Sequence, residues 1–307
     1  MPIDQHRRDA EALLKLNEQW IALYHSSHYH LGYMIHKVGY TIRHGRFFRD
    51  SFKYLRYLNF VRTNIPDGHK KTNNPLVNFD GRFAVYTAMT GGYDSLKEPV
   101  TVPNNADFFA AVDNDIPEDS VWKKIDIDSV PGVAQLDNVR KARFIKTHPH
   151  VLFPDYKYSI WIDANFWAIG DISQFLNCLS KTLPFASNSH PTRNCIYDEG
   201  TSCCIIGKDN IKLMRHQLDT YRREGMPEHF GLYETNLIAC EHNNPLCIAV
   251  MEDWWNEINR FSRRDQLSLP YVLWKQGYHM DELGFTCDTN IRLNPVFRVY
   301  MHSEDWT

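Results

Sequence analysis

After residue 78 the chain alternates short apolar runs, rich in β-branched and aromatic residues, with stretches of helical spacing. That alternation restricts it to an α/β domain built on one main sheet. Three of the runs stop abruptly. Phe83–Met89 gives way to Thr90-Gly91-Gly92, the run from Phe108 to Asp113, whose carboxylate closes it, and the run from Tyr158 ends on Asp163-Ala164-Asn165. Ligands of open α/β sheets bind in the crevice outside the carboxyl ends of strands, so these three ends are where chemistry is expected. The pattern continues with a helix at about 135–147, a helix at 171–181, strands at 184–189 and 203–206, and helices at 209–224 and 251–261. The segments 231–236 and 241–244 read as polar loops.

The front of the chain has a different texture. Residues 1–72 hold 12 Lys and Arg against 6 Asp and Glu, so a net charge of −3 overall leaves about −9 on the remainder. Residues 4–24 have the apolar stripe of an amphipathic helix. From 29 to 62 aromatic residues interleave with Lys and Arg, a pattern suited to an anionic membrane surface, to packing on the main domain or a second copy, or to nucleic acid, which is the least favoured of the three. Residues 66–75 are dense in turn formers. The expected organisation is a helical basic and aromatic appendage at 1–65, a linker at 66–77, and one domain at 78–307. No apolar run is long enough to span a bilayer, and the opening Met1-Pro-Ile-Asp-Gln-His-Arg-Arg lacks the apolar core expected of a secretory signal. The seven cysteines include no Cys-x-x-Cys pair, which points to reduced thiols in a cytoplasm. Cys203-Cys204 reads as packing in a buried strand.

Candidate site residues follow from the strand ends. Asp163 and Asn165 offer the hard oxygen ligands that a divalent cation bridging a diphosphate needs; a turn in which both bond local amides is the alternative. Gly91 and Gly92 would let backbone approach a ligand closely. Arg140, Arg143 and Lys146 recur at three-residue spacing on one helix face, either a solvated surface or a cationic wall for phosphates. His190 and Arg193 follow a predicted strand, and Glu234 lies in a polar loop. His242, beside Glu241, is a ligand or base candidate, with a hydrogen-bonded structural imidazole the commoner outcome. Asp265 fits a capping-box variant with Ser262, or else stands at the mouth of the site and orients an acceptor hydroxyl. His302 could complete a metal site begun by Asp163 and Asn165.

The ordered set Tyr86-Thr-Ala-Met-Thr-Gly-Gly-Tyr-Asp94, the helix carrying Arg140 to Lys146, His150-Val-Leu-Phe-Pro154, Tyr158-Ser-Ile-Trp-Ile-Asp-Ala-Asn165, His190 with Arg193, Cys195-Ile-Tyr-Asp-Glu199, Glu241-His-Asn243 and Arg264-Asp-Gln-Leu267 resembles a glycosyltransferase-like family. That family was long catalogued as a domain of unknown function and includes plant seed-mucilage proteins and a plant protein reported as an alkaline ceramidase. The resemblance covers about residues 80–280. It implies a GT-A type fold, a Rossmann-like mixed sheet flanked by helices, with a nucleoside-diphosphate sugar donor and Mg or Mn. By that likeness Asp163 and Asn165 stand in for an Asp-x-Asp element, with one charge fewer. Tyr86, Thr87, Gly91, Gly92 and Asp113 would hold the nucleoside, and Arg140, Arg143 and Lys146 the phosphates. His190, Arg193, Glu234 and Asp265 would face sugar and acceptor as catalytic candidates. Asp265-Gln266 resembles the Asp-Gln pair of glycogenin-type retaining transferases. The expected activity is transfer of a sugar to a hydroxyl of a glycan or lipid-linked acceptor, in bacterial surface polysaccharide synthesis, by a cytoplasmic protein peripheral on the inner face of the plasma membrane and open to homo-oligomer formation. A ceramidase-like lipid amidohydrolase and a non-catalytic glycan- or membrane-binding domain are the alternatives.

Overall fold

The computed structural model describes residues 81–92, 96–285 and 291–300. The basic appendage, the linker and His302 lie outside the described residues.

Nine strands are described, in one sheet of seven and one of two. The large sheet contains β1 (Phe83–Met89), β2 (Ala106–Val112), β3 (Trp122–Ile125), β4 (Tyr158–Ile162), β6 (Phe185–Ser189), β7 (Tyr233–Cys240) and β8 (Gly284–Phe285), in the order β3-β2-β1-β4-β7-β6-β8. β1 to β4 are mutually parallel, whereas β7 runs antiparallel to β4 and to β6. The carboxyl ends of β1, β2, β4 and β6 therefore meet the amino end of β7 along one edge. This is the mixed, Rossmann-like GT-A arrangement expected from the resemblance.

Both faces of the sheet are covered, which is why its central strands read as continuous apolar runs rather than alternating ones. On one face, Ala84, Tyr86 and Trp161 pack with Val250, Met251 and Trp254 of α5 (Pro245–Arg260) and Leu269 and Leu273 of α6 (Asp265–Lys275). α1 (Asn138–Thr147) and the short α2 (Pro149–Leu152) lie on the same side. On the other face, Phe83, Val85 and Ile160 meet a 3-10 segment, Ser173–Cys178, and the small antiparallel sheet of β5 (Phe166–Ala168) and β9 (Phe297–Val299).

Three expectations are corrected. The apolar run 203–206 is the end of a helix, α3 (Ile196–Ile206), in which Cys203 packs on Met214 and Leu267; a short apolar run has no periodicity to separate strand from helix. The helix expected at 171–181 contracts to the 3-10 segment. Most of the loop expected at 231–236 is strand: β7 begins at Tyr233, and all eight of its residues are buried. Its polar start misleads because register slips between Ser187 and Asn188, whose partners jump from Ile238 to Glu234. Such a bulge re-aims side chains next to a site. By contrast, the helix expected at 209–224 is α4 (Ile211–Arg223).

His242 settles as a structural imidazole. Its Nε2 donates to the Phe153 carbonyl at 2.9 Å, and Asn243 Nδ2 donates to the Pro154 and Tyr156 carbonyls at 3.0 and 2.8 Å, fixing the turn that feeds β4. His148 stacks on Phe144 at 3.6 Å and donates from Nδ1 to the Phe144 carbonyl at 2.8 Å. Burial lowers both imidazoles from 6.5 to about 4. The unfolded chain therefore binds more protons than the native one between these values. Stability is fully present above about pH 6.5 and declines as pH falls toward 4, by at most about 3 kcal/mol per histidine. Denaturant titrations across that window should show the decline, and His242→Gln, which keeps the donor without the titration, should make it shallower by the share of one histidine.

Candidate active site

A buried ammonium organises the converging strand ends. Lys146, in the last turn of α1, has no exposed surface. Its Nζ lies 2.7 Å from Asp265 Oδ2, 3.1 Å from Thr235 Oγ1 and 3.6 Å from Asp163 Oδ1. The rings of Trp161 and Trp254 flank it at 5.4 and 5.8 Å. Thr235, delivered by the bulge in β7, donates to the same Asp265 oxygen at 2.8 Å, while Arg143 reaches Asp265 Oδ1 at 3.3 Å. Both oxygens of Asp265 are thereby engaged. Burial alone would raise its pKa, but Arg143, Lys146 and Arg264 together hold it far below the usual carboxylate range. It is an anion at any physiological pH, and it stands inside the site rather than at its mouth. Nor does it cap its helix with Ser262: the N-cap is Arg264, and Ser262 Oγ donates instead to Gln217 Oε1 at 2.6 Å.

Asp163 is the more open end of this network, with a third of its side chain exposed. Trp161 Nε1 donates to its Oδ1 at 2.8 Å. Asn165 donates from Nδ2 to the Tyr300 carbonyl at 3.1 Å, and Tyr300 N–H returns to the Asn165 carbonyl at 2.9 Å, bringing the C-terminal segment to the site as far as Tyr300. The oxygens left to a cation are Asp163 Oδ2 and Asn165 Oδ1. Two hard oxygens suit Mg or Mn, which takes the rest of its shell from phosphates and water.

The loop after β1 meets the end of β2. Gly91 N–H donates to the Asp113 carboxylate, and Gly91 has φ +78, a left-handed conformation in which an added Cβ would lie 2.7 Å from Asn138 Nδ2. Thr90 Oγ1 donates to the Asn138 carbonyl at 2.7 Å, pinning this loop to the start of α1. Gly92, at φ +68, has open space around it. Thr87 is buried, and its hydroxyl has no hydrogen-bond partner among the described residues. Two expected ligands have structural partners instead. Tyr86 is fully buried and donates to the Lys146 carbonyl at 2.8 Å, so it holds α1 on the sheet. Arg140 binds Asp137 at 2.7 Å and the Phe261 carbonyl at 3.0 Å, tying α1 to the end of α5.

A second ionic group lies beyond β6. Arg193 Nε donates to Glu199 Oε2 at 2.6 Å, and the backbone N–H of Arg193 points at His190 Nδ1 at 3.1 Å. Burial, outweighing the pull of Glu199, lowers His190 to about 4, so the imidazole is neutral at pH 7. Arg264 connects the two groups, 3.9 Å from Glu199 on one side and adjacent to Asp265 on the other. Glu234, the second residue of β7, is gripped at Oε1 by Arg292 Nε and Nη2 at 3.0 and 2.5 Å, while its Oε2 has no hydrogen-bond partner among the described residues. The belt holds five cations, Arg143, Lys146, Arg193, Arg264 and Arg292, against four carboxylates, Asp163, Asp265, Glu199 and Glu234. Its slight positive excess suits an anionic ligand.

Thr235, Glu199, Arg264 and Arg292 were not singled out as site residues from the sequence. Glu199 and Arg264 lie inside motifs quoted above, whereas Thr235 and Arg292 carry no local signal.

Removing one member of a buried pair should cost more than removing both. Lys146→Met should destabilise the chain by about 3–5 kcal/mol; in Lys146→Met with Asp265→Leu part of that loss should return, as read by denaturant titration of the two variants.

Residues 111–292 match the TOD1/MUCI70 glycosyltransferase-like domain. A relative from Arabidopsis thaliana, named "Probable hexosyltransferase MUCI70", is 28% identical over 162 residues, which is 50% of this chain and 27% of that protein. The chain thus spans about a quarter of that relative's length. Among solved structures, the apo bifunctional glycosyltransferase WbbM covers 70% of this chain and 41% of its own, at 12% identity and a TM-score of 0.41. The mannosyltransferase Ktr4p from S. cerevisiae covers 71% of this chain and 70% of its own, at 10% identity and a TM-score of 0.30. At such scores the fold assignment rests on the sheet's own topology. With its family match spanning more than half of its length, the chain belongs to the TOD1/MUCI70 glycosyltransferase-like family.

Proposed function

We propose that this domain transfers a hexosyl group from a nucleoside-diphosphate sugar to a hydroxyl of a glycan or lipid-linked acceptor. The observation that carries the reading is the Asp163–Lys146–Asp265 network at the carboxyl ends of parallel strands, in a member of a glycosyltransferase-like family. Sugar transfer from such a donor builds negative charge on the departing diphosphate. The residues that offset it are fixed before the ligand arrives, so no reorganisation is needed during the reaction. Of the cations around Asp265, Arg143 and Arg264 keep open surface, their side chains 18% and 22% exposed. Lys146 is sealed from solvent; it acts as a positioning residue that orients Asp163 and helps keep Asp265 ionised. A Mg or Mn ion on Asp163 and Asn165 would add Lewis-acid stabilisation of the leaving group.

The loop Thr90–Gly92 with Asp113 takes the nucleoside end of the donor in this reading. Neutral His190, Arg193 and Glu234 take the sugar and acceptor, with Glu234 Oε2 as an acceptor for a hydroxyl proton. The Asp265-Gln266 pair leans the stereochemistry toward retention. A role in bacterial surface polysaccharide synthesis at the inner face of the plasma membrane belongs to the same proposal. Among the described residues no helix is long and apolar enough to cross a membrane.

The test is a screen of nucleotide sugars for turnover by the full chain, with and without Mn. At least one donor should be consumed, and Asp163→Ala should slow it by about 100-fold or more. If no donor is consumed, or if Asp163→Ala leaves the rate unchanged, the transferase reading fails.

A further inference from the structure

Away from Asp163, three side chains of different chemistry converge. Cys195 Sγ, a carboxylate oxygen of Asp198 and a ring nitrogen of His229 all lie within 4.8 Å of one another. Cys195 is the N-cap of α3 and Asp198 its third residue, the two positions whose side chains meet across the first turn of a helix. In a capping box they would satisfy the helix's own amides. Here the Cys195 side chain makes no capping hydrogen bond, so the pair is turned toward a third group instead.

That third group is held at a cost. His229 has φ 57, a left-handed backbone worth roughly 1–2 kcal/mol against any residue with a Cβ other than Asn or Asp. Its Nδ1 lies 2.8 Å from Asn194 Oδ1. With the amide oxygen accepting, Nδ1 carries the proton and Nε2 keeps the lone pair. A metal-ligating imidazole has this arrangement, one nitrogen on the ion and the other donating to an outer oxygen. The two segments are also stitched together independently: Gly231 N–H donates to the Asn194 carbonyl at 2.9 Å, His190 N–H to the Leu232 carbonyl at 2.9 Å, and Tyr197 OH to the Met226 carbonyl at 2.8 Å. The convergence of ligands is therefore built into the loops.

We propose that Cys195, Asp198 and His229 bind one zinc ion. A thiolate among the ligands excludes Mg and Ca as the natural occupant, and a mixed sulfur, nitrogen and oxygen set with three protein ligands is one that zinc accepts, leaving a fourth position to water. Binding releases the thiol proton of Cys195 as the metal–sulfur bond forms. The ion clips the start of α3, which carries Glu199, to the loop that leads into β7 and Glu234. His229 is exposed, which gives the metal its entry, whereas Cys195 is buried.

The full chain, stripped with chelator, is titrated with zinc in competition with a chromophoric chelator, and separately with cobalt(II) read by absorption. One zinc per chain is expected, and the cobalt complex should show a thiolate charge-transfer band. Cys195→Ser should abolish the band, and Cys178→Ser should retain it. His229→Asn, at an exposed position where Asn tolerates the left-handed backbone, should weaken zinc by about 100-fold and remove the rise in Tm that zinc gives the parent chain. That variant carries the test even if Cys195→Ser fails to fold. Binding below one equivalent, a cobalt complex without the thiolate band, or zinc affinity unchanged in His229→Asn would each overturn the proposal.

Discussion

The buried contact between Lys146 and Asp265 is the interaction on which the site depends. It joins the last turn of α1 to the first turn of α6, and through Thr235 and Asp163 it reaches β7 and β4. An ammonium and a carboxylate removed from water each cost several kcal/mol, and their attraction offsets this only when further polar groups complete both shells. Here Arg143, Thr235 and the indole rings of Trp161 and Trp254 do so. Trp254 also donates from Nε1 to the Asp265 carbonyl at 2.9 Å, fixing the backbone at the start of α6. Because each partner belongs to a different element, the arrangement can form only when the whole sheet edge is assembled.

The strands that build this edge were legible because burial on both faces writes them as apolar runs with abrupt polar ends. β1, β2, β4 and β6 follow those runs closely. β7 was not legible, since Glu234, Thr235 and Asn236 look like loop residues and are instead a bulged, buried strand facing the site. The end of α3 failed for the opposite reason, an apolar Cys-Cys-Ile-Ile run with no period of its own. Within the site, Asp163 was placed by its strand and Lys146 by its helix, but the contact of Lys146 with Asp265 spans 119 residues of sequence. No local pattern encodes it. Two of the segments that carried the resemblance turn out to be scaffolding: His242 and Asn243 hold the turn at Phe153 to Tyr156, and Tyr86 holds α1.

The consequence for function is a site whose charges are set in advance. Asp265 is kept ionised by three cations and His190 is kept neutral by burial, so neither changes state near neutral pH. Asp163, Arg143 and Arg264 retain solvent access and are the groups of this centre able to meet a ligand first. The Arg264 guanidinium couples this centre to the His190, Arg193 and Glu199 group, placing the two ionic groups on a shared electrostatic frame.

The most direct test is a structure of the full chain with a bound nucleoside diphosphate. The account predicts the diphosphate between the Thr90–Gly92 loop and Asp163, within hydrogen-bond reach of Arg143, with Lys146 still sealed against Asp265. A diphosphate bound elsewhere on the chain, or Lys146 released from Asp265 to grip it, would contradict the central role assigned to this buried pair.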